Sequence, residues 1–340
     1  MLDAVEVFSI SCNNGKISVE RTGLQPLSIA SGSPGLRLLA SVLQASLVQL
    51  GYSSPQLPPS FQLGNHTLSN AQLIQEGSAP CSGHPGSYVF RVTVDALQHS
   101  AILKLSHDDH EEFILKELQG LPHVVQLQAS GLLAYESNLW HAVLLQPYGR
   151  LLEHTDPRSL IVQVTSDVVH AISDCASKHI AHRDVTANNF VNYQQRGYLC
   201  DFTAAKVIED WSELPSPTGN PAAITGTPLF AAVSVLEGGP HTQSSMYEGL
   251  FYSLLYICRG GRLPDSWAFK FTGLAEAAKL RRGCMMCEPP INTWDVPEEV
   301  APFIRALHAL FWAEIQDGAF KYRTNVTAKE LLDVCSQFMA

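Results

Sequence analysis

Two short polar stretches near the middle of the chain place acidic and amide side chains at close spacing. Residues 182–189 have the sequence HRDVTANN, so that Asn189 follows Asp184 by five positions, and residues 199–203 have the sequence LCDFT around Asp201. A carboxylate can accept a proton from a hydroxyl group, and an Asn and an Asp can hold Mg²⁺ against nucleotide phosphates. These residue types therefore allow a phosphoryl-transfer site, with Asp184 as the candidate proton acceptor and with Asn189 and Asp201 as the candidate metal ligands. The alternative is a loop of unrelated polar residues, which the ordered spacing disfavours.

Both stretches resemble those of protein kinases. HRDVTANN fits the catalytic loop H-R-D-x-x-x-x-N, and LCDFT stands where a kinase carries D-F-G. Over about 144–267 the chain resembles the fungal-type protein kinases and, more distantly, the casein-kinase group. The further matching stretches are PYGRLL at 147–152, GTPLF at 226–230 and MYEGLFY at 246–252.

This resemblance implies an α+β, bilobal protein-kinase-like fold that transfers the γ-phosphate of ATP, with Mg²⁺, to Ser/Thr hydroxyls of a protein substrate. A small antiparallel-sheet lobe is expected at 61–146 and a mostly helical lobe at 147–340. Residues 1–60 are expected to form an accessory hairpin and helix. These would either pack on the kinase domain as an extra layer or bind a partner.

The expected lysine of the small lobe is Lys104, which ends the apolar run AILK and has the form of the kinase strand V-A-I-K. The resemblance assigns it the α- and β-phosphates of ATP, and a surface lysine at a strand end is the alternative. The following stretch HEEFILKEL at 110–118 has helical spacing, and Glu111, or else Glu112, is expected to pair with Lys104. Lys104 and Glu111 are only seven positions apart. We therefore expect either a shortened helix or no ordinary Lys–Glu pair, and both glutamates could instead be solvated helix charges.

Two turns are expected to contact the nucleotide. Gly77 begins a glycine-containing turn where backbone amides can approach phosphates, although the spacing is not G-x-G-x-x-G and a plain hairpin loop is the alternative. Gln146 and Tyr148 follow an apolar strand and are interpreted as the hinge that meets the adenine edge. The predicted nucleotide-binding residues are thus Lys104, Glu111, Gly77, Gln146 and Tyr148, and the predicted catalytic residues are Asp184, Lys104 and Asn189.

Three positions depart from the kinase pattern. Met246 stands where the family has an Asp that holds the HRD backbone, so the backbone donors need another partner. Thr203 replaces the glycine of D-F-G and should restrict the backbone. Thr186 carries no charge where many Ser/Thr kinases use a Lys, so transfer should be slower unless another cation is present. A pseudokinase or scaffold that binds nucleotide or a partner is therefore the alternative function. A small-molecule kinase is a third, which the GTPLF stretch disfavours.

Sequence patterns near the two ends of the chain predict secondary structure and one ion pair. Residues 5–11 and 16–20 flank the turn sequence NNG at 13–15 and predict a β-hairpin. Leucines at helical spacing from 36 to 50 predict an amphipathic helix. The stretch YRTNVTAKELL at 322–332 resembles the closing helix of kinases, and Arg323 is expected to form a structural ion pair, with Glu237 as the suggested partner.

The composition disfavours several classes of partner. The chain is 46% apolar, carries a net charge of -10 and has no Lys/Arg run, which argues against nucleic acid and anionic membranes.

Without a basic leader or an apolar run near the ~18 residues that span a bilayer, a cytoplasmic location is expected, with the nucleus as the alternative. The eight cysteines do not resemble a disulfide framework. Cys284 and Cys287 form a single C-x-x-C, either a zinc or redox site or ordinary reduced thiols.

Overall fold

The structure is a computed structural model of the chain, which forms two compact units, Met1–Pro58 and Pro59–Ala340. It describes residues 57–76, 87–94, 99–135, 138–208, 225–262, 274–286, 295–314 and 320–339, together with four strands before residue 27. The predicted helix at 36–50, Gly77 with its turn, and Cys287 lie outside the described residues.

The N-terminal unit contains two pairs of antiparallel strands. These are β1 (Ala4–Val5) with β4 (Gln25–Pro26), and β2 (Phe8–Asn13) with β3 (Lys16–Arg21). Asn13 and Lys16 are register partners at the end of the second pair. The hairpin predicted around the NNG sequence is therefore present.

The second unit begins with a six-stranded antiparallel sheet in the order β5-β6-β7-β8-β10-β9. Its strands are β5 (Ser60–Leu63), β6 (His66–Glu76), β7 (Tyr88–Val94), β8 (His99–Ser106), β9 (Gln126–Tyr135) and β10 (Asn138–Gln146). In β8 the fully buried Ala101, Leu103 and Leu105 alternate with Ile102 and Lys104. Because side chains alternate between the faces of a strand, Lys104 projects from the face opposite these three residues.

A short helix, α1 (His110–Glu117), follows β8. Its buried residues Glu111, Ile114 and Leu115 lie three and four positions apart, which places them on one helix face. The helix contacts β9 and the 3₁₀ turn at Phe202–Ala204. Glu111 is therefore directed into the protein rather than into solvent.

Helices dominate the chain after residue 157. They are α2 (Arg158–Ser177), α3 (Val233–Leu236), α4 (Gln243–Cys258), α5 (Leu274–Met286), α6 (Ala301–Phe311) and α7 (Ala328–Phe338). Helix α4 is buried along nearly its whole length and begins with a capping box between Thr242 and Ser245. The buried, apolar α4 forms the centre of a large hydrophobic core to which α2, α5, α6 and α7 also contribute.

Three short strand pairs follow the six-stranded sheet in the chain, and the first two flank the two polar stretches. They are β11 (Ile180–Ala181) with β14 (Lys206–Val207), β12 (Phe190–Tyr193) with β13 (Arg196–Leu199), and β15 (Trp312–Glu314) with β16 (Phe320–Tyr322). The β12–β13 hairpin separates the HRD stretch from Asp201. Its ends meet where the Cys200 N–H donates to the Asn189 carbonyl at 2.9 Å. The hairpin therefore brings Asn189 close to the segment that carries Asp201.

The architecture is α+β, with an antiparallel sheet and seven helices among the described residues. None of the helices in these residues combines the length and the apolar character that crossing a bilayer requires.

Candidate active site

Lys104, Glu111 and Asp201 form one cluster. The Lys104 Nζ lies 2.7 Å from Oε2 of Glu111 and 2.6 Å from Oδ1 of Asp201. The Lys104 and Glu111 side chains are almost fully buried, whereas 42% of the Asp201 side chain is exposed. The ammonium group thus links β8, α1 and the segment after β13 through two ionic contacts.

Of the two candidate glutamates, Glu111 is the one that contacts Lys104. Glu112 instead accepts hydrogen bonds from Lys116 Nζ at 2.5 Å and from Ser130 Oγ at 2.7 Å. Helix α1 begins at His110 and has eight residues. The short separation between Lys104 and Glu111 therefore reflects a shortened helix, and the ion pair still forms.

Opposite charges determine the protonation of this cluster. Burial favours the neutral amine of Lys104, but Glu111 and Asp201 outweigh it and raise the pKa of Lys104 above its ordinary value. Desolvation likewise disfavours the charged carboxylate of Asp201, but Lys104 and the Thr203 hydroxyl hold its pKa well below the ordinary value. Both groups are therefore ionised at neutral pH, as binding of a phosphate and a cation requires.

Thr203 belongs to the same cluster. Its Oγ1 accepts a hydrogen bond from Lys104 Nζ at 2.6 Å and donates one to Asp201 Oδ1 at 2.7 Å. The neighbouring Phe202 N–H donates to Oε1 of Glu111 at 2.9 Å. From the sequence, Thr203 was expected only to restrict the backbone. Its contact with Lys104 depends on the fold, because the two residues are 99 positions apart.

Two neighbours fix the carboxylate of Asp184. Its Oδ2 accepts a hydrogen bond from Asn189 Nδ2 at 3.1 Å, and its Oδ1 accepts one from the Thr227 N–H at 2.7 Å. Gly226 permits the second contact, because its φ is +95° and a Cβ there would lie 2.4 Å from the Arg183 carbonyl oxygen. The GTPLF stretch therefore lies directly against the HRD stretch.

The HRD backbone is anchored although Met246 replaces the expected Asp. With its proton on Nε2, the His182 ring donates to the Cys200 carbonyl at 2.9 Å and accepts at Nδ1 from the backbone N–H two residues on, at 3.3 Å. Burial lowers the pKa of His182, which favours this neutral form. Arg183 donates through Nε to the Ala204 carbonyl at 2.7 Å. His182 and Arg183 thus attach the loop to the DFT segment, while Met246 is buried in the core.

A cavity of about 440 Å³ lies beside the charged cluster. Of the predicted site residues, it is lined by Lys104, Glu111, Tyr148, Asn189 and Asp201. Its remaining walls are mostly aliphatic and include Ile74, Val89, Ile102, Val125, Leu145, Leu151 and Val191. An apolar cavity with a few polar groups is typical of a small-molecule site. The aliphatic lining residues were not predicted, since apolar residues in strands are usually core.

The predicted hinge residues differ in their contacts. The guanidinium carbon of Arg91 lies over the Tyr148 ring, 5.1 Å from the ring centroid. Pro147 and Gly149, on either side of Tyr148, also line the cavity. The side-chain amide of Gln146 forms a hydrogen bond with the His99 imidazole. Only the backbone of Gln146 is then a candidate for contact with a ligand.

The donor set around Asp201 fits a magnesium ion that is held jointly by protein and nucleotide. Among the described residues, no group of three His, Cys, Asp or Glu side chains is placed to hold a metal. Mg²⁺ in phosphate-transfer sites is usually bound by one or two carboxylates together with phosphate oxygens and water. Asp201 supplies one carboxylate. Asn189 donates through Nδ2 to Asp184, which leaves its amide oxygen for a cation.

Arg281, which the sequence did not single out, binds the backbone in and just after the GTPLF stretch. The fully buried guanidinium donates to the carbonyls of Ala231, Leu229 (2.8 Å) and Pro228 (3.3 Å). It also lies 4.7 Å from the centroid of the Tyr252 ring. Helix α5 thereby fixes the segment next to Asp184 through a single side chain.

The expected ion pair between Glu237 and Arg323 is not formed. Glu237 instead pairs with Arg282 through two hydrogen bonds of 2.6 and 2.7 Å, and Arg323 pairs with Glu330 at 2.8 Å. Arg323 therefore forms an ion pair, as the resemblance implies, but Glu330 is its partner, and Arg282 on the neighbouring α5 pairs with Glu237.

The family comparison agrees with this geometry. The model of the fungal protein kinase family matches residues 64–258, more than half of the chain. The match includes Lys104, Glu111, Asp184, Asn189 and Asp201, and it ends at the last residue of α4. The chain belongs to the fungal protein kinase family.

Proposed function

We propose that the protein is an ATP- and Mg²⁺-dependent kinase that transfers the γ-phosphate to Ser/Thr hydroxyls of a protein. In this proposal the sheet and the helical part are the two lobes of a bilobal fold, and ATP binds in the cavity between them. The observation that carries it is the contact of Lys104 with Asp201, at 2.6 Å, in the wall of a cavity of about 440 Å³.

Each polar residue has a separate role in this proposal. Lys104, fixed by Glu111, binds the α- and β-phosphates as a point charge. Asp184 accepts the proton of the attacking hydroxyl, in an orientation fixed by Asn189 and by the Thr227 N–H. A magnesium ion held by Asp201 and Asn189 would neutralise charge on the phosphates.

A protein substrate is supported by the position of the GTPLF stretch. Because Thr227 contacts Asp184, the residues that follow lie where an acceptor peptide would pass the carboxylate. Arg281 holds this segment by its carbonyls. A small-molecule acceptor would need no such anchored segment beside the catalytic residue.

We further propose a reducing compartment, the cytoplasm or alternatively the nucleus, because the five cysteines that the structure characterises are free thiols. They are Cys175, Cys200, Cys258, Cys284 and Cys335.

A pseudokinase that binds nucleotide without efficient transfer is the second candidate. Two observations favour it: Met246 replaces the Asp of the family pattern, and the Thr203 hydroxyl occupies one hydrogen-bonding position of Lys104. The catalytic set of Lys104, Asp184 and Asn189 is nevertheless complete, so we place transfer first.

Incubation with radiolabelled γ-phosphate ATP, Mg²⁺ and casein as acceptor tests transfer. The wild type should label Ser and Thr residues, and Asp184→Asn should lower the rate about 100-fold or more, because general-base catalysis contributes ~10²–10⁴. Asp174→Asn, which alters a carboxylate on α2, is the control and should keep wild-type activity. Equal labelling by wild type and Asp184→Asn would exclude Asp184 as the catalytic residue, and absence of labelling in all three would favour the pseudokinase.

A further inference from the structure

Three acceptors among the described residues engage the ammonium group of Lys104. A lysine carries three N–H donors. In the described part of the chain these bond to Glu111 at 2.7 Å, Asp201 at 2.6 Å and Thr203 at 2.6 Å. Of the three acceptors, Thr203 alone is neutral. An arriving phosphate oxygen must therefore displace one of them, and the uncharged hydroxyl is the weakest competitor.

Thr203 also binds the partner of Lys104. Its hydroxyl proton goes to Oδ1 of Asp201 at 2.7 Å, while Oε2 of Glu111 lies farther away, at 3.4 Å. The atoms Lys104 Nζ, Asp201 Oδ1 and Thr203 Oγ1 thus form a closed triangle of contacts, each 2.6–2.7 Å long. The hydroxyl therefore bonds to both members of the Lys104–Asp201 pair and occupies one hydrogen-bonding position on each.

We propose that Thr203 is a positioning residue that latches Lys104 and Asp201 together, so that nucleotide phosphates bind only by displacing the Thr203 hydroxyl from Lys104. The inference rests on the proposed ATP-binding function and adds a regulatory property of the same site. It assigns to Thr203 a role that a glycine at this position lacks.

Replacing Thr203 by Val separates this role from a packing role. Val keeps the shape of Thr but has no hydroxyl, so one N–H of Lys104 becomes free for a phosphate. We expect Thr203→Val to bind the ATP analogue AMP-PNP with Mg²⁺ about tenfold more tightly, which corresponds to about 1.4 kcal/mol. Thr203→Ser keeps the hydroxyl and should match the wild type. Adenosine has no phosphate and should bind all variants equally.

The test is calorimetric titration of wild type, Thr203→Val and Thr203→Ser with Mg²⁺·AMP-PNP and, separately, with adenosine. Thr203→Ala, which also lacks the hydroxyl, replaces the Val variant if that variant does not fold. Without ligand, Thr203→Val should also melt at a lower temperature than the wild type. On addition of Mg²⁺·AMP-PNP, the melting temperature of Thr203→Val should rise more than that of the wild type.

Each outcome bears on a different claim. If the wild type binds Mg²⁺·AMP-PNP and Thr203→Val binds it equally or more weakly, the latch is overturned and the proposed function stands. If Thr203→Val changes the affinities for adenosine and AMP-PNP by the same factor, the substitution alters the cavity and not the phosphate contact, and the latch is also overturned. If no variant binds either ligand, the proposed function itself fails. Binding of AMP-PNP by Thr203→Val alone supports both.

Discussion

Replacing Arg281 by Met tests whether this side chain supports the segment beside Asp184. Met has a similar length and is apolar, so the change removes the charge and the donors while it keeps much of the volume. In the wild type the guanidinium donates hydrogen bonds to three backbone carbonyls of one segment, those of Pro228, Leu229 and Ala231. It also lies over the ring of Tyr252. All of these contacts are lost together.

The expected loss of stability follows from the groups that remain. Each buried carbonyl left without a donor costs ~1–3 kcal/mol. The carbonyl of Pro228 keeps the Ala231 N–H as a donor at 3.3 Å, so the carbonyls of Leu229 and Ala231 are the two that lose a partner. The buried Glu248 also loses a nearby positive charge. Removing one member of a buried charged network typically costs ~3–5 kcal/mol. We therefore expect the free energy of unfolding to fall by about 3–5 kcal/mol.

The free energies of unfolding of Arg281→Met and Arg282→Met, measured in urea, form a matched comparison, because the two arginines are adjacent on α5. Arg282 pairs with Glu237 near the surface, where their side chains are 33% and 41% exposed, so its loss should cost about 1 kcal/mol. Arg281→Met should also slow phosphate transfer without weakening Mg²⁺·AMP-PNP binding. A cost for Arg281→Met no larger than that for Arg282→Met would refute the reasoning.

Three further predictions follow from the site. Gly226→Ala should lower the transfer rate about tenfold to 100-fold at unchanged nucleotide affinity, since its Cβ would meet the Arg183 carbonyl and small misplacements near the reacting groups cost this much; steady-state kinetics with unaltered activity would contradict this. Lys104→Met should weaken Mg²⁺·AMP-PNP binding but not adenosine binding, and calorimetry that shows equal losses for both ligands would count against phosphate contact. Burial lowers the pKa of His241 to about 4; the unfolded chain therefore takes up a proton that the folded protein does not between pH 6.5 and 4, and stability should fall there by roughly 1 kcal/mol per pH unit as the pH falls. His241→Asn should flatten this slope in pH-dependent urea unfolding, and an unchanged slope would assign it to other groups.

Local patterns predict much of the fold. The apolar run that ends in Lys104 indicates a strand, which extends in the structure from His99 to Ser106, and the turn sequence at 13–15 indicates the hairpin that the structure contains. The convergence of Asn189 and Asp201 follows from the length of the segment between them, since a hairpin must return the chain close to its starting point. These features depend on residues close in the sequence.

Features that depend on distant residues were not accessible in the same way. Glu111 and Glu112 differ by one position, which rotates a side chain by about 100° around the helix, and the exact helix start decides which one faces inward. Arg281 and Arg282 likewise look equivalent in the sequence, although one is fully buried and the other is partly exposed. The hydrogen bond between Lys104 and Thr203 requires the complete fold, because no local pattern joins two residues so far apart.

The most direct test of the central claim is whether ATP binds in a Mg²⁺-dependent manner through Asp201. Thermal-shift titrations of wild type and Asp201→Asn with ATP, in the presence and absence of Mg²⁺, measure this, because a ligand that binds the folded state raises the melting temperature. We predict that Mg²⁺ increases the ATP-induced shift of the wild type and has no such effect on Asp201→Asn. A wild-type protein that shows no shift up to about 1 mM ATP, the upper end of ordinary Michaelis constants, or an equal Mg²⁺ effect in both proteins, would contradict the assignment of this cavity as a magnesium–nucleotide site.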